Sequence, residues 1–276
     1  MPIISATALK GGVSKTTLVH MMAGAFSLAG RRTLLVDNDG QASLSSGIFG
    51  AAAVEQLDPA TTIAAVYAGL DPLPEHVIRP TNIPHVDLLA GSMAAGDFNH
   101  PRPYAAPMET QAVLRTFLGE VRGDYDLILI DNPPNLCAAS WAALVASDFC
   151  YIPVVPEDYG TASISPVLEA IRMVASGPNP GLVNLGMVLS MVQPRLGVHA
   201  AFEAELREIH GDGVFAARVP MAADIKEAIA HRRPIAMHKP RGASAKAIKA
   251  VADEMLARIE GPAVAGLMEV AADVQG

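Results

Sequence analysis

The sequence is poor in cysteine, poor in charge and without a long uninterrupted apolar run. Only Cys137 and Cys150 occur among 276 residues, and they form no Cys-x-x-Cys pair. Two such isolated thiols argue against a disulfide framework and against a cysteine-built metal site; they read as buried free thiols of a protein kept reduced. Hydrophobic residues make up 51% of the chain and the mean hydropathy is +0.30, yet no window of about 18 uninterrupted apolar residues exists, so a membrane-spanning helix is not expected. The start, MPIISATALKGG, has no basic n-region and no cleavable apolar core, and the expected setting is the cytoplasm. Positive charge is also scarce. Twenty Lys and Arg against 28 Asp and Glu give a net charge of −8, and taken whole that balance gives no reason to expect nucleic-acid binding. The eight histidines are scattered without metal-ligand spacing. No internal repeat, low-complexity tract or domain boundary is visible. One domain over 1–276 is expected, with the tail 261–276 frayed or forming a short docking helix.

What is present is an alternation of apolar runs and helical periodicity. The runs 2–7, 32–37, 85–90, 126–131, 151–156 and 185–192 read as buried strands, and helices are expected near 15–29, 61–69 and 109–122. Phe202, Leu206 and Ile209 share one face of a later helix, and Ile248, Val251, Met255, Leu256 and Ile259 line the last one. Continuous apolar strands alternating with helices predict an α/β fold with a twisted, mostly parallel sheet covered on both faces.

Between the first strand and the first helix lies ALKGGVSKTT (8–17), where a phosphate cradle belongs. Backbone N–H groups of a Gly-rich turn and a helix N-terminus point at a bound anion, and a lysine adds a point charge. Gly11 and Gly12 let the backbone approach the phosphates, with Val13 and Ser14 completing the turn. Lys15 reaches the β- and γ-phosphates, the Thr16 hydroxyl is suited to Mg2+, and Thr17 to the α-phosphate. The template G-x-x-x-x-G-K-[ST] fails, because its glycines would fall at Leu9 and Ser14. The deviant form K-G-G-x-x-K-[ST] fits, with Lys10 opening the loop. Further on, YDLILIDNPPN (125–135) is an apolar strand ending in an acid, the Walker B pattern, and Asp131 is suited to Mg2+ through water.

KGGVSKTT resembles the deviant Walker A loop of the ParA family, which includes MinD-type division regulators and nitrogenase iron proteins. The resemblance extends from about residue 2 to 258 and is weakest over 50–110. It implies a P-loop ATPase that takes ATP and Mg2+ and forms a homodimer on binding ATP, with Lys10 reaching the partner's nucleotide. Ser14 stands where the family usually has glycine. VDNDGQ (36–41) resembles the family's D-x-D-P-Q segment, which makes Asp39 the candidate for positioning the attacking water, while Asp37 orients the loop and its lysines; Gly40 replaces the usual proline. The Asn-Pro-Pro after Asp131 resembles the D-x-P-P switch, and 151–164 resembles the P-x-x-P-E-x-x-[AG] stretch. The segments 188–197 and 214–235 also resemble family segments, the latter the region in which the chain around Pro220 packs against adenine.

The family also holds DNA without sequence preference on basic residues of this region. Here Arg218, Lys226, Arg232, Arg233, Lys246 and Lys249 are the candidates, although Met221 and Asp224 occupy positions usually held by Arg. The function this implies is positioning or segregation of a cargo on the nucleoid, with slow hydrolysis stimulated by a ParB-like or other partner. A MinD-like membrane role is disfavoured because GPAVAGLMEVAADVQG (261–276) contains no Lys or Arg. An iron–sulfur reductase is disfavoured by the cysteine pattern.

Overall fold

A computed structural model describes residues 1–100, 102–156 and 160–261. Its centre is a seven-stranded sheet, and the strands in chain order are β1 (Ile3–Ala6), β2 (Thr33–Asp37), β3 (Ile78–Pro80), β4 (Val86–Leu89), β5 (Leu127–Asp131), β6 (Phe149–Val154) and β7 (Val183–Leu189). Across the sheet their order is β3-β4-β2-β5-β1-β6-β7. Every pairing is parallel except β3 with β4. The doubly wound α/β architecture expected from the alternation is the one found.

Successive side chains of a strand point to opposite faces, so each buried strand feeds two cores. Ile4, Leu35, Leu129, Phe149 and Tyr151 face α1 (Lys15–Leu28) and the helix Ala243–Glu260, meeting Leu18, Met22, Phe26, Ile248, Val251 and Met255. Ile3, Leu34, Val36, Ile128 and Ile130 face the opposite way, onto Leu114, Phe117 and Leu118 of the helix Val113–Val121 and onto Ala142 and Ala143. A third cluster joins β6 and β7 to Val167, Ile171, Phe202 and Leu206. With both faces covered, alternation is lost and the strands read as continuous apolar runs.

The structure departs from the expectation in several places; β7, expected over 185–192, runs Val183–Leu189. Strand β3 was not expected; it is a three-residue edge ending in Pro80, and proline is tolerated there because no strand lies beyond it among the described residues. Strand β6 starts at Phe149, two residues before the expected start. The helix expected over 109–122 is two pieces, Met108–Gln111 and Val113–Val121. Ile209 is 61% exposed, so the apolar face of Gly197–His210 rests on Phe202 and Leu206. The stretch 157–159, within the resemblance over 151–164, and residues 262–276 of the expected tail lie outside the described residues.

One contact fixes how α1 sits. A Cβ added to Gly24 would lie 2.2 Å from the Cβ of Pro234. Glycine at this position therefore lets α1 and the chain leading into helix Ile235–His238 approach closely, at the cost of a weaker helix former.

Candidate phosphate-binding site

Parallel register brings the motifs together. Ala6 pairs with Asp131, and Asp131 pairs with Asp37, so β1, β2 and β5 all end at one level. The loop after Ala6 and the two aspartates thus share the carboxyl edge of the sheet, where ligands bind in open α/β folds.

The phosphate loop leaves β1 and enters α1 at Lys15. Gly12 has φ +80°, and no heavy atom lies within 4 Å of where a Cβ on Gly11 or Gly12 would stand, leaving open space above an exposed backbone. The N-terminus of α1 has no side-chain cap and no acid in its first turn. Its first N–H groups remain available to an anion. Ser14 has φ 67° and ψ 20°, a left-handed conformation that a side chain disfavours by roughly 1–2 kcal/mol. The glycine expected by resemblance would occupy it without that cost. Lys15 is buried, and its ammonium donates to the Lys10 carbonyl at 3.4 Å. Burial lowers its pKa, opposed by the nearby charges of Asp131 and Asp39. The lysine is held inside the loop as a cation aimed at the same space as the two acids.

Asp131 is fully buried and neither of its carboxylate oxygens has a hydrogen-bond partner. Burial drives its pKa well above the ordinary value, and the charge of Asp37 adds to this; Thr16 and Lys15 pull it back down. The Thr16 hydroxyl is near enough to favour the charged form without closing a hydrogen bond. A buried carboxylate with both oxygens unmet is costly on its own. A divalent cation beside Thr16 and Asp131 would remove that cost, and the hard oxygen donors suit Mg2+.

Asp37, also buried, accepts from the Ser45 N–H at 2.7 Å and from the Ser45 hydroxyl at 2.6 Å. Burial raises its pKa to about 6 against the pull of these bonds. What it anchors is the first turns of α2 (Ser43–Phe49), where the expectation had been the loop lysines. Asp39 is half-buried, accepts from the Gln41 N–H at 2.9 Å, and faces the site closely enough to act on Lys15 and Asp131.

A cavity of about 100 Å³ opens beside the loop, lined by Ser14, Thr17, Met191, Pro220 and Ile225 among others. Pro220 therefore lies next to the phosphate loop although the two are far apart in sequence. The connection is made by β7, whose continuation at Val192 bridges to Pro220, with Val192 N–H bonded to Val219 at 3.0 Å and Met221 N–H to Val192 at 2.9 Å.

Residues 1–183 match the family described as AAA domain. The chromosome-partitioning ATPase Soj of Thermus thermophilus is 30% identical over 257 residues, covering 91% of this chain and 94% of that protein. The chain belongs to the ParA-type ATPases. The sporulation initiation inhibitor protein Soj of Bacillus subtilis is 28% identical, with 92% and 98% covered. Among solved structures, cobyrinic acid a,c-diamide synthase from Mycobacterium smegmatis with bound ADP and magnesium superposes with a TM-score of 0.77 over 95% of this chain and 96% of that one. At 23% identity that likeness shows the architecture alone.

The ParA-type motifs explain the acids and lysines of the site, but not the residues between them. Asn38 and Asn132 each follow a strand-end aspartate. The Asn38 amide donates to Asn132 Oδ1 at 2.9 Å and to the Ala139 carbonyl at 2.8 Å, and it accepts from the Tyr67 hydroxyl at 2.6 Å. Asn132 donates to the Ala6 carbonyl at 3.0 Å. These amides tie the two segments that follow Asp37 and Asp131 to each other and to the end of β1. Their position directly after the two strand-end acids was the available signal.

The basic stretch of this ParA-type chain is less uniform than its sequence. Arg218 pairs with Glu203, Lys239 with Glu227 at 2.5 Å, and Lys249 with Asp253 at 2.5 Å. Arg232 adopts φ 52°, and its guanidinium packs on Gly50 at the end of α2, since a Cβ there would fall 2.7 Å from it. Lys226, Arg233 and Lys246 are exposed and make no ion pair among the described residues. Asp224 accepts from the Ser244 hydroxyl at 2.6 Å, which joins the helix Ala223–Ala230 to the start of the last helix. Among the described residues no helix is long and apolar enough to cross a membrane, and no group of three or more His, Cys, Asp or Glu could hold a metal ion.

Proposed function

We propose that this chain binds ATP with Mg2+ at the carboxyl edge of its sheet, dimerises in that state, holds DNA without sequence preference and positions or segregates a cargo. The observation that carries the nucleotide reading is the buried carboxylate of Asp131, with both oxygens unpaired, beside a buried lysine on a glycine loop. Lys15 and the N–H groups at the start of α1 supply positive charge for the phosphates. Thr16 and Asp131 hold the Mg2+, which shares the phosphate charge. Pro220 borders the space for the base.

Catalysis of phosphoryl transfer rests on positioning and charge stabilisation. Asp39, on the segment fixed by Asp37 and Asn38, orients the attacking water. Lys10 is exposed at the mouth of the loop and completes the nucleotide site of the second subunit. The exposed cations Lys226, Arg233 and Lys246 provide the phosphate-backbone contacts, which makes binding steeply salt-dependent. Hydrolysis, stimulated by a ParB-like or other partner, ends the DNA-bound state. The relatives named chromosome-partitioning ATPase support the cargo reading.

Asp39→Ala tests the assigned chemistry. Binding of ATP within a few-fold of wild type, with hydrolysis lowered by about 100-fold or more, is expected. Unchanged hydrolysis removes Asp39 from the role.

A further inference from the structure

Resting on the nucleotide-site reading above, we infer that Ser190 is a positioning residue that holds the phosphate loop in its binding conformation before nucleotide arrives. Ser190 follows β7 and is fully buried. Its hydroxyl donates to the carbonyl of Val13 at 3.1 Å, the nearer of two acceptors, the Val154 carbonyl standing 3.4 Å away. Its own N–H is held by the Val154 carbonyl at 2.8 Å, so the donor is fixed to the end of β6. Val13 is buried as well and immediately precedes Ser14, the residue with φ 67°.

The two features belong together. A serine at a left-handed position drifts toward right-handed conformations unless its neighbours prevent it. The carbonyl of Val13 belongs to the peptide unit that enters Ser14, so a hydrogen bond to that oxygen restrains the dihedral under strain. Around it, Ala8, Val13 and Val155 form a small apolar cluster with Met191 packed on its edge. Met191 itself has φ 54° and borders the cavity that Ser14, Thr17 and Pro220 share. Ser190 therefore acts from the strand end that also leads to the base side of the site, and it acts on the loop, not on the nucleotide.

The test is a cycle of Ser190→Ala and Ser14→Gly, read by the affinity and dissociation rate of a fluorescent ADP analogue with Mg2+. Ser190→Ala alone should weaken binding about threefold to tenfold, the span of one buried hydrogen bond, mainly through faster dissociation. In the Ser14→Gly background, where the left-handed conformation costs little, the same change should matter less than about twofold. Equal losses in both backgrounds, or no loss in either, overturn the inference. Ser190→Cys, a weaker donor of similar shape, should fall between wild type and Ser190→Ala; it serves in place of Ser190→Ala if that variant does not fold. A wild-type protein that fails to bind the analogue would instead reject the nucleotide-site reading, so the two failures are separable.

Discussion

The carboxyl edge of the sheet and the basic stretch 218–249 differ in how sequence becomes structure. At the sheet edge, residues from three motifs converge because parallel register forces the ends of β1, β2 and β5 to one level, and charges there are buried without full partners. In the basic stretch, several residues that cluster in sequence are taken up by different partners. Arg218 reaches back to Glu203 on the preceding helix, Lys249 finds Asp253 one turn along, and Arg232 turns to Gly50. A motif fixed at strand ends is placed by the fold, whereas a run of like charges on surface helices is shared out among local acids.

The largest effect that should separate the two regions is on nucleotide affinity. Lys15→Ala should weaken ATP binding on the order of 10–100-fold, since a buried, charge-assisted contact to phosphate is lost. Lys249→Ala should leave it unchanged. Isothermal titration of both variants checks this, and a comparable loss in Lys249→Ala would break the contrast.

The second effect concerns pH. His20, on the buried side of α1, is held at about 4 by burial, and its Nε2 has no hydrogen-bond partner. The unfolded chain binds this proton below about pH 6.5 while the native chain resists it, so stability falls as pH drops from about 6.5 to 4, by about 3 kcal/mol in all. Asp37, raised to about 6, works in the opposite sense. The native chain keeps a proton that the unfolded chain has lost, so lowering the pH from 6 toward 4 stabilises by a similar amount. In nucleotide-free protein Asp131, also raised by burial, acts in the same sense as Asp37, so His20 offsets only part of the contribution of the two acids. His20→Gln should expose the combined contribution of Asp37 and Asp131, with denaturant stability rising more steeply as pH is lowered through that window. A flat profile in the variant would refute the assignment.

A third change acts where the regions meet. Gly24→Ala places a methyl group against Pro234 and should destabilise by about 1–3 kcal/mol, less the gain in helix propensity. A more stable variant would mean that α1 and the chain at Pro234 are less closely joined than the structure has them. The smallest effect belongs to the surface. Lys246→Ala should lower the salt slope of non-specific DNA binding by about 1 per subunit, while Arg218→Ala, already engaged with Glu203, should lower it less. Equal slopes for both would return the stretch to a single undivided patch.

Much of this was legible beforehand. Six of the seven strands and the phosphate loop follow from apolar runs and spacing, because strands buried on both faces and Gly-rich turns leave marks within a few residues. The edge strand β3 left none, being three residues long and ending in proline. The Asn38–Asn132 pair and the Ser190–Val13 bond join residues 94 and 177 positions apart; the asparagines were marked only by their place after the two strand-end acids, and a lone serine carries no sign of its distant partner. Ion pairing in the basic stretch was hidden for the same reason. The left-handed backbone at Ser14 was hinted at only by the absent glycine.

The central claim is that Asp131 is an unmet Mg2+ ligand in a nucleotide site. Its most direct test is titration of ATP into wild type and Asp131→Asn, each with Mg2+ and with a chelator. Wild type should bind ATP far more tightly with Mg2+ present, and Asp131→Asn should lose most of that difference. An Asp131→Asn protein that keeps the full Mg2+ dependence would contradict the account.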